Sequence, residues 1–427
     1  MRIKQWKLGF SFLLGLLVTL LLSTNLFNQP GLTQQPVTIT VLINALEATQ
    51  WAPLVKQFEA KNPDIRLQIV EGPTATDLVE QLYTSAFLLG DSPYDLVYMD
   101  IVWTPKFAAA GWLMDLSSRI SQGQLAEFMA GAVNGGRYQG GLYRIPVRSD
   151  AGMLYYRKDL LEQAKAHPPE TFTDLIQVSQ GLQEQKRAQW GYLWQGRQYE
   201  GAAAMFVEVL KGYGGFWIDP KTGTVGLDQP AGLQAVEFLR RTIKQGVSPA
   251  GVTTYGEDEV RLLFQSGASV FMRSWPYFWP LGNASDSPIR GKFGIEPMVH
   301  APGKSSGACL GGWGLGIAKT TRHPEAAWRV VEFFSSEAIQ RQLILATGYV
   351  PSRRSLFNDP QIVAKYSYYP SLLKIVEDSV LRPPIPQYEQ ASDILQRYLS
   401  AVFTGRFSPE TAMKAAADET RRLLRSK

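Results

Sequence analysis

The chain has 427 residues, 45% of them hydrophobic and 19% charged, with 43 Lys and Arg against 38 Asp and Glu for a net charge of +5. That length exceeds one ordinary domain, and the apolar content excludes a chain dominated by disorder. The single cysteine, Cys309, excludes an intramolecular disulfide; stability has to come from large cores, and the lone thiol reads as buried and inert.

At the N-terminus, Arg2, Lys4 and Lys7 precede an apolar run from Leu8 to Leu22, interrupted at Ser11, Gly15 and Thr19. A basic stretch before an apolar one is the pattern of a secretory signal, and the run is shorter than the roughly 20 residues of a comfortable membrane helix. The polar "STNLFNQPGLTQQP" that follows has no clear cleavage site, so an uncleaved anchor stays open; no cysteine adjoins the run, which excludes a lipid anchor there. Residues 1–36 are therefore expected to be a signal or anchor plus spacer, and the protein to be exported. Without Arg2, Lys4 and Lys7 the net charge falls from +5 to +2, which removes the main support for a nucleic-acid partner.

The β-branched "VTITVLIN" (Val37–Asn44) reads as a buried strand. Trp51, Leu54, Val55 and Phe58 then fall at helical spacing, up to a stop at Asn62–Pro63. A second strand, "IRLQIV", leads to an amphipathic helix over Leu78–Leu88 and a strand ending at Asp100. This β-α-β-α-β order predicts a parallel sheet with helices on both faces, whose ligands bind beyond the carboxyl ends of the strands. "YRIPVRSDAGMLYYRKDLL" predicts a strand, a turn at Ser149–Asp150 and a strand running into a helix. Further helices are predicted over Ala202–Lys211, Gly232–Gln245, Val260–Phe264, Pro324–Leu345 and Ser408–Leu424, the last with a Ser-Pro start.

No metal or nucleophile motif is present. His167, His300 and His323 stand far apart, with no metal-ligand spacing, G-x-S-x-G or P-loop. Three acids follow predicted strands: Glu47, Asp100 and Asp150. Singly, each could cap a turn. Together they suit hydroxyl recognition, because an ionised carboxylate accepts strong, often paired hydrogen bonds. A carboxylate pair could also be the acid and base of a glycoside hydrolase. Trp275 and Tyr277, in the proline-braced "RSWPYFWPLGN", are expected to face one side of an extended segment and stack on a sugar ring, with Phe278 and Trp279 turned elsewhere. In "LGGWGLGI", Gly311 and Gly312 would let backbone approach a ligand and Trp313 would offer another ring; a glycine turn with Trp313 buried is the plainer alternative.

Taken with "YMDIVWTPKFAAAGWL", "WGYLWQGRQYEG", "TGYVPSRRS" and "RPPIPQY", these segments resemble the extracellular solute-binding proteins of ABC sugar importers, most of all the trehalose/maltose-binding branch. The resemblance covers nearly the whole chain after the signal. It implies an α/β, two-lobed periplasmic-binding-protein fold, each lobe a mostly parallel sheet flanked by helices, with three hinge crossings. Residues 37–147 and 313–357 would form lobe 1, and 148–312 and 358–427 lobe 2. It also implies a monomeric receptor, without cofactor, metal or catalysis, that delivers its ligand to a two-subunit membrane permease with an ATPase. By matching motif positions, Glu47, Asp100 and Asp150 would hold hydroxyls, Trp275, Tyr277 and Trp313 would stack, Gly311 and Gly312 would give backbone contacts, and Arg382 a polar contact. Tyr199 and Glu200 would lie near the cleft without touching the ligand. Two departures stand out: Arg148 replaces a Tyr of that branch, and the helix of Leu78–Leu88 lacks an Arg that the branch carries. The expected ligand is a disaccharide-sized sugar or osmoprotective glucoside of the trehalose, sucrose, glucosylglycerol or maltose class; Arg148 also admits a charged glucoside. A glycoside hydrolase and a membrane-anchored sugar sensor are the competing readings.

Overall fold

The computed structural model describes residues 35–73 and 76–425. The expected signal lies outside the described residues, among which no helix is long and apolar enough to cross a membrane.

Two sheets organise the molecule. The larger has six strands in the order β12-β6-β11-β3-β1-β2, where β1 is Val37–Asn44, β2 Ile65–Gly72, β3 Leu96–Asp100, β6 Ile145–Ala151, β11 Leu310–Ile317 and β12 Val350–Pro351. The smaller has the order β10-β7-β9-β8, from Phe293–Glu296, Met153–Arg157, Ser269–Ser274 and Trp190–Leu193; the hairpin β4 (Arg137–Tyr138) and β5 (Gly141–Leu142) stands apart. The helices used below are α1 (Ala45–Lys61), α2 (Thr76–Leu88), α3 (Glu200–Gly212), α4 (Pro324–Ser335), α5 (Tyr388–Phe403) and α6 (Pro409–Arg425).

The first three strands run parallel, as their alternation with helices dictates. The sheets as wholes are mixed rather than mostly parallel. β6 leaves the larger sheet at the end where β1 and β3 finish, and β11 re-enters there from the other lobe, so β11 runs against both β3 and β6. In the smaller sheet only β8 and β9 are parallel.

Two local expectations also need correcting. Ser149 and Asp150 make no turn; both lie inside β6, paired with Gly312 and Gly311. The break comes at Gly152, where a side chain would sit 1.7 Å from the Glu208 carboxylate. The helix expected over Pro324–Leu345 is two helices, α4 and Glu337–Thr347, interrupted by extended backbone at Ser336.

Cores form on both sheets. Trp51 of α1 is wholly buried, stacked on Phe334 of α4 at 4.0 Å and edge-on to Tyr98 of β3 at 5.0 Å. Burial of such a ring contributes on the order of 1.5–3 kcal/mol. Nearly every residue of α3 is buried, under α5. Three segments run side by side between the sheets, at Gly152, Cys309 and Val380. The Gly152 amide donates to the Cys309 carbonyl, and Ala308, Val380 and Leu310 exchange backbone bonds at 2.8 Å.

Candidate functional site

Glu47 is placed by a helix start. Asn44 ends β1 and caps α1: its side-chain oxygen accepts the Glu47 amide at 3.0 Å and its Nδ2 donates to Glu47 Oε1 at 3.0 Å. The carboxylate thus sits in the first turn of a 17-residue helix, where the macrodipole favours an anion. On the adjoining β3, the Tyr98 hydroxyl donates to Glu47 Oε2 at 2.7 Å.

Arg148 of β6 completes the network. Its guanidinium donates to Glu47 Oε1 at 2.9 Å, to Asp150 Oδ2 at 2.5 Å and to the Tyr98 hydroxyl at 3.3 Å, and the Tyr349 ring lies 4.5 Å from it. Burial alone would lower its pKa, but Glu47 and Asp150 overcome this and hold the guanidinium well above its ordinary range. Burial pushes the Asp150 carboxyl up to about 6, against the opposing pull of Arg148. The charge of Arg148 is therefore already matched by two carboxylates, which removes the expected reason to invoke a charged glucoside.

Asp100 belongs to a second chain of charges. It caps the turn after β3 by accepting the Val102 amide at 3.2 Å, and it accepts Arg382 Nη2 at 3.0 Å. The same guanidinium donates to Glu200 Oε1 at 2.5 Å, and Glu200 also accepts the hydroxyls of Tyr388 and Ser392. Sequence reasoning left Glu200 at the margin of the cleft, whereas it is the hub of this chain; an acid in the first turn of a largely apolar helix was the available signal. Tyr199 turns away, donating to Glu257 at 2.6 Å.

A parallel tie lies beside it. Lys106 donates to Glu80 of α2 at 2.6 Å and to Glu389 of α5 at 2.5 Å. A cavity of about 760 Å³ opens between α2 and the pair α5–α6, with Asp77, Glu200, Glu389 and Arg397 among its lining. Burial raises Asp77 to about 6, with Glu200 and Glu389 adding repulsion, and raises Glu80 to about 7.

The aromatic residues divide. Trp275, half-buried after β9, lies against Gly311: a Cβ there would be 3.4 Å from the indole and 3.1 Å from Asp150 Cβ. Trp275, Asp150 and Gly311 therefore meet. Tyr277 does not extend alongside Trp275, because its backbone is already helical and leads into a five-residue helix, Phe278–Gly282. That helix tolerates Pro280 because its first turn has no intrahelical partner for the missing N–H. Phe278 is core, and Trp279 stacks on Tyr368 at 4.1 Å. Trp313, expected to offer an open ring, is only 9% exposed, with Tyr98 stacked on it at 5.1 Å and Trp103 against it at 5.4 Å. Gly311 and Gly312 form no turn but lie within β11. At Gly312, with φ +138°, a Cβ would stand 2.7 Å from the Arg148 carbonyl, so this glycine serves the packing of β6 on β11. Among the described residues no group of three or more His, Cys, Asp or Glu is arranged to hold a metal ion.

Residues 44–341 match the family model of the bacterial extracellular solute-binding proteins. The chain belongs to that family. A probable ABC transporter-binding protein of Deinococcus radiodurans is 30% identical to this solute-binding protein over 372 residues, 85% of this chain and 88% of its own. The maltotriose-binding protein of Pyrococcus abyssi is 27% identical over 318 residues, 72% of this chain and 64% of its own. Among solved structures, maltose-bound MalE3 of T. maritima is 34% identical, with a TM-score of 0.85 over 91% of this chain and all of the other. The two-lobed fold follows from that likeness. This solute-binding protein is the substrate-binding component of an ABC sugar transporter, of the class that works with permease and ATPase components. Its relatives are binding proteins rather than enzymes.

Proposed function

We propose that the protein, exported to the periplasm, captures a neutral disaccharide-sized sugar or glucoside, of the maltose, trehalose, sucrose or glucosylglycerol class. In this reading residues 37–147 with 313–357 close on 148–312 with 358–427, and the ligand passes to the permease. The observation that carries it is the meeting of Trp275, Gly311 and Asp150 beside the Glu47–Arg148–Tyr98 network. An indole covers the apolar face of a pyranose while carboxylates take its hydroxyls. Because Arg148 fixes Glu47 and Asp150 in place, their remaining lone pairs are aimed before the ligand arrives. A hydroxyl pattern that leaves one of them unmet loses on the order of 1–3 kcal/mol. Gly312 and Trp313 brace the site from behind, and Arg382 joins it from the Asp100 side. The maltose in T. maritima MalE3 and the maltotriose named for the P. abyssi protein favour a glucose-containing ligand.

Tryptophan fluorescence of the purified protein, titrated with maltose, trehalose, sucrose and glucosylglycerol, tests this. A saturable change with one of them, lost in Trp275→Ala, is expected. Silence toward all four together with a response to a glucuronide would overturn the neutral-ligand reading. Turnover of an aryl glucoside, abolished by Asp100→Asn, would replace binding by hydrolysis.

A further inference from the structure

Glu208 and Arg273 form the only ion pair among the described residues whose two side chains are both wholly inaccessible. Arg273 Nε donates to Glu208 Oε2 at 2.7 Å and Nη2 to Oε1 at 2.6 Å. Fold stability does not demand such a pair, since apolar residues of similar volume serve as well or better. What distinguishes it is what each end touches.

The carboxylate faces two of the segments that run between the sheets. Glu208 Oε1 accepts the Cys309 amide at 3.1 Å, and the Cys309 carbonyl accepts the Gly152 amide at 3.3 Å. Gly152 leaves the room the pair occupies, since a Cβ there would be 1.7 Å from Glu208 and 2.5 Å from Arg273. The guanidinium faces the other way and lies over the Trp275 ring, 4.0 Å from its centroid. Gln195 donates to the Arg273 carbonyl at 3.1 Å, which fixes the end of β9 just before Trp275. Glu208 is moreover two helical turns along α3 from Glu200, the partner of Arg382.

We propose that Glu208 and Arg273 are positioning residues that couple the Trp275 ring to the seating of the crossings at Gly152 and Cys309. The inference rests on the reading of Trp275 as the stacking wall. Movement of the lobes about the crossings shifts the carboxylate, the carboxylate carries the guanidinium, and the guanidinium sets the tilt of the indole. Ring placement and lobe angle then change together.

The test combines maltose calorimetry with amide exchange over residues 150–153 and 307–311, in the full protein and in Arg273→Lys, Trp275→Ala and the double variant. Lysine keeps the charge opposite Glu208 but cannot lie flat on the indole. Arg273→Lys should weaken maltose binding about tenfold, the size of one partly desolvated cation–π contact. It should cause no further loss when Trp275 is already Ala, because its effect runs through the ring. Trp275→Ala, a change at a half-buried ring, should speed exchange of the Cys309 amide. Independent losses that multiply, or a Cys309 amide indifferent to Trp275→Ala, would overturn the coupling. If Trp275→Ala binds maltose as tightly as the parent, the wall reading falls and takes the coupling with it; if it weakens binding while Arg273→Lys does not, the coupling alone falls. Should Arg273→Lys fail to fold, or maltose fail to bind, the exchange result with Trp275→Ala still decides.

Discussion

The two arginine networks are built from the same chemistry on different scaffolds. Arg148 joins Glu47, Tyr98 and Asp150, which all stand on or beside strands of one sheet, with β11 between β6 and β3. Arg382 joins Asp100, at the end of β3, to Glu200, at the start of α3, which packs under α5. The first is held by the register of a single sheet. The second spans separate parts of the fold, so its geometry depends on how they meet. On the proposed reading, one presets acceptors and the other rewards closure.

Breaking the first network should give the larger effect on folding. Arg148→Ala leaves Glu47 and Asp150 buried without their partner, and a loss of about 3–5 kcal/mol is expected in urea unfolding. A small loss there would mean that the carboxylates relax toward water. Arg382→Ala should do the reverse. Its expected cost is about 1.5–3 kcal/mol, the range for charged hydrogen bonds, appearing mainly in sugar affinity and little in the unfolding midpoint. Equal losses in both measurements would erase the distinction between the networks.

Proton titration sharpens the comparison. Asp150, raised to about 6 in the folded protein, binds its proton more tightly there than in the unfolded chain. Its ionisation therefore opposes folding, and this penalty fades as pH falls from above 6 toward 4, for a gain of roughly 1–3 kcal/mol. Glu80, at about 7, and Asp77, at about 6, act in the same direction. Sugar affinity should move the opposite way, because a protonated Asp150 loses an acceptor. Thermal melting and calorimetry between pH 5 and 8 should give curves of opposite slope, and Asp150→Asn should flatten the binding curve. The smallest expected change is at Glu389→Gln, which removes a like charge from beside Glu80 and Asp77 but also a partner of Lys106. At this partly exposed site the net effect should stay within about 1 kcal/mol in urea titrations.

Much of the architecture was legible because periodicity is local. The β1-α1-β2-α2-β3 succession, the strand-end acids and the aromatic segment all announce themselves within short windows. What escaped depends on partners far along the chain. Arg148 and Glu47 are 101 residues apart and Arg382 and Glu200 are 182, and a sequence prints charges without pairing them. Ser149–Asp150 reads as a turn because its residues are polar, yet Arg148 and the β11 pairing make both at home inside a strand. Trp313 reads as an open ring until the register of β11 against β3 sets it opposite Asp100, next to Tyr98 and Trp103. The mixed direction of the larger sheet was hidden for the same reason, since nothing near β11 records from which side the chain returns.

Cys309 carries a practical consequence. It is the only cysteine in the chain, it has no exposed surface, and burial pushes its thiol up to about 12. The reactive thiolate is thus scarce near neutral pH, and reagents have no path to it. A dye-bearing maleimide would pass it by and couple to one new cysteine placed on an exposed rim. The native chain is in that sense already prepared for conversion into an optical sugar sensor.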